Sequence, residues 1–120
     1  MTATAHGTLG ILKKRAAFLA AAASGRKCAT RGMVVQMRPR EDMARFYGLT
    51  ASKRVGNAVA RNRAKRRLRA LANALLPVRA RAGCDYVLIA RPETVARDFA
   101  LLRGDLLYAL KKLGALDGGS

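Results

Sequence analysis

Hydrophobic positions along the chain switch between a helical and a two-residue period, and the switches mark the elements. Leu9, Leu12, Ala16, Leu19 and Ala20 recur at helical spacing and Ser24-Gly25 follows them, which predicts a first helix from about Lys13 to Ala23 with Phe18 off its packing stripe. Gly32 to Arg38 reads as a strand stopped by Pro39, with a short pairing segment near Lys27 to Thr30 ahead of it. Arg40-Glu41-Asp42 is a turn, and Arg45 to Ser52 is the next strand. Alternation puts Phe46, Gly48, Thr50 and Ser52 on one of its faces and Tyr47, Leu49 and Ala51 on the other.

Helical spacing returns with Ala64, Leu68, Leu71, Ala72 and Leu75. Asn57 stands where an N-cap is needed, Gly56 lets the chain turn, and Pro77 disfavours helical geometry at Leu76. The predicted helix therefore runs from Asn57 or Ala58 to Leu75 or Leu76. Asp85 to Arg91 is the most strand-like run, its unbroken apolar centre implying burial on both faces, and Pro92-Glu93-Thr94 ends it. A last helix from about Asp98 to Leu113 carries Phe99, Leu102, Leu106, Leu110 and Leu113 on one stripe and stops at Gly114. Helices flanking one small sheet predict an α+β two-layer sandwich. Residues 9–114 read as a single domain, and residues 1–8 and 115–120 as disordered tails.

Charge changes the picture from a generic small domain to a polyanion binder. The chain has 24 Lys and Arg against 7 Asp and Glu, a formal charge of +17, and such a surplus is best tolerated beside phosphate. A membrane is the competing acidic surface, yet no apolar run approaches the roughly 20 residues of a spanning helix. The apolar stretch Ala16 to Ala23 is too short, too Ala-rich and too far into the chain for a signal peptide. A cytoplasmic location is the expectation. Cys28 and Cys84 form no metal-ligand spacing with each other or with His6, so reduced thiols lining the core are expected rather than a disulfide.

The cations concentrate in one segment. Lys53, Arg54, Arg61, Arg63, Lys65, Arg66, Arg67 and Arg69 interleave with the apolar stripe of the predicted middle helix, and no acid lies between Lys53 and Ala82. One face packs while the other presents like charges whose repulsion a polyanion would relieve. Arg61 and Arg63 can fork onto phosphate, and Asn62 can donate and accept at a sugar or base edge. Lys65, Arg66, Arg67 and Arg69 extend the field and Lys53 and Arg54 lead into it, with general screening an equal reading for these. Arg61 falls close to the apolar arc, so it could also lie against the sheet with only its head exposed. Catalytic chemistry finds no purchase. Glu41, Asp42, Asp85, Glu93, Asp98, Asp105 and Asp117 are scattered, Asp98 suits a helix cap, and His6 lies in the expected tail, so neither a metal cluster nor an acid-base pair is in view.

Thr50-Ala51-Ser52-Lys53-Arg54-Val55-Gly56-Asn57-Ala58-Val59-Ala60-Arg61-Asn62-Arg63-Ala64-Lys65-Arg66 resembles the signature of the bacterial ribonuclease P protein component, centred on Arg61-Asn62-Arg63. Lys13-Lys14-Arg15-x-x-Phe18 resembles that family's first helix, and Asp85 to Arg91 its last strand. The resemblance implies helix, strands, helix, strand and helix around a four-stranded mixed sheet, with a left-handed βαβ crossover that general rules would have made right-handed. It implies a subunit of an endoribonuclease, a hydrolase whose large catalytic RNA, with Mg2+ held by that RNA, removes the 5′ leader of precursor tRNA. The protein would bind the RNA and hold the leader in a cleft between the first helix and the exposed sheet face. Phe18 matches an aromatic of that cleft, whereas Ala22 and Gln36 stand where other members carry aromatics. The expected leader contacts are thus Phe18 and Gln36, with a core position for Phe18 an equal reading, and no catalytic or metal-binding residue, membrane or small-molecule substrate is expected on the protein's side. A ribosomal RNA binder and a nucleoid DNA binder would share the charge and size but not the long signature.

Overall fold

The computed structural model describes residues 9–117. Of the expected tails at 1–8 and 115–120, residues 1–8 and 118–120 lie outside them. Along the chain come β1 (Gly10–Ile11), α1 (Arg15–Ala23), β2 (Lys27–Ala29), β3 (Met33–Pro39), β4 (Arg45–Thr50), α2 (Ala58–Arg79), β5 (Cys84–Ala90) and α3 (Phe99–Lys112). Short 3-10 turns at Lys53–Val55 and Pro92–Val95 precede α2 and α3. The strands form one mixed sheet in the order β1-β4-β5-β3-β2, with β4 parallel to both β1 and β5 and β3 antiparallel to β5 and β2. The α+β class is as expected, and the sheet is one strand wider than the resemblance implied.

Strand alternation sorts the sheet into two faces. Met33, Val35 and Met37 of β3, Tyr47 of β4, and Tyr86 and Leu88 of β5 form the main core with Ala64, Leu68, Leu71 and Leu75 of α2 and Leu102, Leu106 and Leu110 of α3. All five apolar positions expected on the inner face of α2 are buried. Fully burying a leucine contributes about 1.5–3 kcal/mol, so α2 is held by its stripe despite the like charges on its other side. Tyr86 belongs to the same layer. Burial raises its hydroxyl well above the ordinary tyrosine value, and the protonated group donates to the Arg81 carbonyl at 2.6 Å. Cys84 is buried, Cys28 half-buried, and both are free.

The opposite face is covered in part by α1, through Ala17, Phe18 and Ala21 packed against Leu12, Val87, Phe46 and Ile89. This corrects the expected stripe: Leu19 is 56% exposed, and Phe18 turns inward. In a helix this rich in alanine the faces differ little in hydrophobicity, so the fit of one large ring decides which face docks. Nor do Leu9 and Leu12 begin that helix. The chain there runs parallel to β4, pairing Gly10 with Phe46 and Ile11 with Tyr47, and the Leu12 amide donates to the Tyr47 carbonyl at 2.8 Å. Gly10 permits the approach, since a Cβ at that position would lie 2.4 Å from the Phe46 ring.

Two ends also differ from expectation. Helix α2 continues through Pro77 to Arg79. Proline removes only the hydrogen bond to the carbonyl of Asn73, an exposed residue where water can replace it, while buried Leu75, Leu76 and Ala80 hold the last turn in place. The Ala80 amide still donates to the Leu76 carbonyl. Beyond Gly114, at φ 73°, the chain stays packed: Ala115 is buried, Leu116 bridges Ala80, and the Asp117 amide donates to the Arg79 carbonyl at 2.6 Å. Residues 115–117, expected in a loose tail, are thus part of the fold. As expected, Asp98 caps α3, its Oδ1 accepting from the amides of Ala100 and Leu101 at 2.9 and 3.3 Å.

Candidate nucleic-acid interface

The entry into α2 is fixed before any charge is presented. Ser52 accepts from the Arg54 amide, Val55 is buried, and Gly56 adopts φ 143°, where a Cβ would also crowd that of Ala60 at 2.9 Å. Asn57 then caps the helix, its Oδ1 accepting from the Ala60 amide at 2.9 Å. The apolar stripe faces the core, so the helical period carries most of the cations outward. Lys53, Arg54, Asn62, Arg63, Arg66 and Arg69 are exposed, and Arg61, Lys65 and Arg67 are half-buried.

Three of these arginines also bind the protein's own backbone, which no spacing in the sequence announces. Arg61 Nη1 donates to the Gly56 carbonyl at 2.8 Å, which ties it to the start of its own helix. Arg63 Nε donates to the Val95 carbonyl at 2.9 Å. Arg67 donates through Nη1 to the Thr94 carbonyl at 2.7 Å and through Nη2 to that of Arg97. The segment between β5 and α3 is therefore docked on α2 by Arg63 and Arg67. Thr94 secures it from the other side, with its hydroxyl on the Gly32 carbonyl, and Arg97 by a fork onto Asp105 at 2.7 and 3.2 Å.

On the α1 side of the sheet the register lays out three rows: Arg38, Asp85 and Phe46; Gln36, Val87 and Gly48; Val34, Ile89 and Thr50. Phe18 lies against the bare backbone of Gly48, where a Cβ would come within 2.5 Å of its ring. The ring is shared by two adjoining grooves, one lined by Leu12, Tyr47, Leu49, Lys65 and Arg69, the other by Lys13, Arg15, Leu49 and Thr50. Phe18 is thus both packed and displayed, walled by cations from α1 and α2. Gln36 is half-buried and lines neither groove. It stands two strands from Gly48, about 10 Å away by strand spacing, with buried Val87 between them. The two expected leader contacts do not share a groove. Thr50 and Leu49 were not singled out in the sequence as site residues, and only the register reveals them.

At the far end of that face Asp85, 1% exposed, accepts from Arg40 at 2.8 Å and Arg38 at 3.3 Å. Arg40 also forks onto Asp42 at 2.8 and 3.0 Å and lies 4.4 Å from the centroid of Phe46. The Arg40 hydrogen bonds, with help from the Ala44 amide, lower the Asp42 carboxyl to about 2. The turn is thereby clasped to β5.

Most of the acids have partners of their own. Asp85 and Asp42 are taken by arginines, Asp105 by Arg97, Glu93 by Arg31 at 3.8 Å, and Asp98 by backbone amides. Among the described residues no three His, Cys, Asp or Glu side chains gather as a metal-holding group. The donor set does not fit a protein-held Mg2+, which wants several oxygen ligands in near-octahedral order. No helix among these residues is long and apolar enough to cross a membrane.

The family model for ribonuclease P matches residues 9–114. The chain is 50% identical over 111 residues to the ribonuclease P protein component of Paramagnetospirillum magneticum, covering 88% of this chain and 83% of that one. It is 50% identical over 115 residues to that of Ruegeria pomeroyi, covering 92% and 91%. The fold superimposes on the RNase P protein of Staphylococcus aureus with a TM-score of 0.75 at 28% identity, covering 89% and 97% of the two chains, and on that of Thermotoga maritima at 0.72, 28%, 84% and 94%. Fold and site define a small, strongly basic α+β protein with a cationic helix and, among the described residues, no acidic cluster. The chain belongs to the ribonuclease P protein component family, and its activity is that of a subunit of the holoenzyme.

Proposed function

We propose that this subunit binds the catalytic RNA through the exposed cations of α2 and holds the 5′ leader of precursor tRNA along the Phe18 grooves, in the cytoplasm, during 5′ maturation of tRNA. One observation carries the reading. An aromatic ring lies on the sheet between Lys13 and Arg15 on one side and Lys65 and Arg69 on the other, which is the combination single-stranded RNA prefers: a stacking surface with cations to follow the backbone. Thr50 beside it offers a hydroxyl for a sugar or phosphate. Arg63, Arg66 and Arg69 lie on the exposed side of α2, where helical rows of guanidinium groups suit a structured RNA. Hydrolysis then falls to the RNA subunit and its own Mg2+, because no three acids among the described residues gather to hold a metal.

The test is reconstitution with the RNA subunit and a precursor tRNA. Site-specific cleavage by the mixture and none by the RNA-free protein at any magnesium concentration is the expected result; cleavage by the protein alone would overturn the division of labour. In the same holoenzyme, Phe18→Ala is expected to weaken precursor tRNA binding by about 1–3 kcal/mol, the scale of one lost base stack. Mature tRNA binding should hardly change. Because the ring also packs on Gly48, some fall in melting temperature accompanies it. A fall in melting temperature with an unchanged precursor-to-mature affinity ratio would leave Phe18 a packing residue only.

A further inference from the structure

We propose a second stacking subsite, at Phe99, that takes an unpaired base of the RNA subunit; the inference rests on the reading of α2 as the surface that binds that RNA. Phe99 is the first residue of α3 and shares a helical stripe with Leu102 and Leu106. Those two are fully buried, whereas Phe99 is 44% exposed. The Arg67 guanidinium stands over its ring, 5.6 Å from the centroid, and is held there by its bonds to the Thr94 and Arg97 carbonyls. One side of the ring is thus backed by a fixed cation, and the exposed remainder is left for a partner.

The surroundings say which partner. Arg63, one turn before Arg67, spends only Nε on the Val95 carbonyl and is otherwise exposed. Arg103, exposed, follows Phe99 at the i+4 position on α3. The Asp98 carboxylate next to the ring is turned onto the amides of Ala100 and Leu101 as the helix cap. An exposed aromatic among cations suits a base with its phosphates better than an apolar protein side chain. The Phe18 grooves reach α2 at Lys65 and Arg69, whereas Phe99 meets α2 at Arg67, on the other side of the buried stripe of that helix. The base therefore comes from the RNA subunit and not from the leader. Arg67 is a positioning residue here: it anchors the linker and backs the ring.

The experiment measures filter binding of the full chain to the transcribed RNA subunit at several salt concentrations, for wild type, Phe99→Leu and Phe99→Tyr. Leucine keeps an apolar side chain but removes the stacking face. Phe99→Leu is expected to bind about tenfold more weakly, within the range of one base stack, and by the same factor at every salt, since no phosphate contact is lost. Phe99→Tyr should stay close to wild type, and the precursor-to-mature tRNA ratio of the holoenzyme should not move. Phe99→Leu binding as wild type does, or a shallower salt slope that traces the loss to displaced arginines, would overturn the subsite. So would a change of oligomeric state in Phe99→Leu with unchanged RNA affinity, which would make the ring a protein contact. Failure of the wild-type chain itself to bind the RNA subunit would overturn the reading of α2 as well, so the two failures are distinct.

Discussion

Replacing Arg61 and Arg63 together by alanine is expected to weaken binding of the RNA subunit by about 2–6 kcal/mol, from about 1–3 kcal/mol per strong contact. The loss has two sources that the structure separates. Each guanidinium uses one nitrogen on the protein, Arg61 on the Gly56 carbonyl and Arg63 on that of Val95, and offers the rest to a ligand. Removing those internal bonds costs folding stability of about 1 kcal/mol each, which a denaturant titration of the free protein reads without RNA. The lost phosphate contacts appear instead as a shallower dependence of log K on log salt, by roughly 0.7–0.9 for each phosphate no longer neutralised. Arg63→Lys should recover the salt slope but not the full affinity, because lysine restores the charge without the fork. Equal affinities and slopes for wild type and double variant would move the RNA contact away from the triplet.

Leu68→Ala should lower the stability of the free protein by about 2–5 kcal/mol. Leu68 is fully buried where α2 crosses the sheet, in one cluster with Leu71, Tyr86 and Leu106, so the cavity has well-packed neighbours on every side and little freedom to collapse. Against the roughly 5–15 kcal/mol typical of a whole domain, that is a large fraction. The RNA subunit should conceal part of the loss, since a ligand at about 100 times its Kd adds about 2.7 kcal/mol to the folded state. A urea titration with and without RNA checks both statements. The intrinsic affinity of the folded variant should match wild type, because Leu68 faces away from the exposed cations. An unchanged urea midpoint for the free variant would mean that α2 is not seated on the sheet by this stripe.

The sequence on its own was most legible where the physics is local. The inner face of α2, its Asn57 cap, the two faces of β4, the buried β5 and the Asp98 cap each follow from side chains a few residues apart, and each stands as read. The exposure of most of the signature cations follows from the same arithmetic, because a helix that buries one stripe must turn the rest outward. Only part of the site could be read this way. That Arg61, Arg63 and Arg67 each bond a backbone carbonyl was hidden; for Arg63 and Arg67 the acceptors lie about thirty residues away in sequence, in a turn with no pattern of its own. Phe99 reads as core from its spacing, yet the first turn of α3 reaches past the buried layer and leaves it displayed.

By itself, then, the sequence determined the order of the elements after β1, the α+β class, and the basic helix with its outward cations, since periodicity and capping act within a few residues. The tertiary structure decided the rest. Two residues of β1 carry no period that could reveal a strand, and they form one because Gly10 lets them reach Phe46. Helix α1 has no strong stripe of its own, and Phe18 faces the sheet because Gly48 leaves room for a ring there. Pro77 stays helical because the leucines before it are already buried. Gln36 and Phe18, both expected at the leader, are set apart because Val87 of β5 lies between Gln36 and Gly48, in a register no single strand encodes. In each case the deciding contact joins segments distant in the chain, and local spacing carries no record of which distant backbone will leave the space.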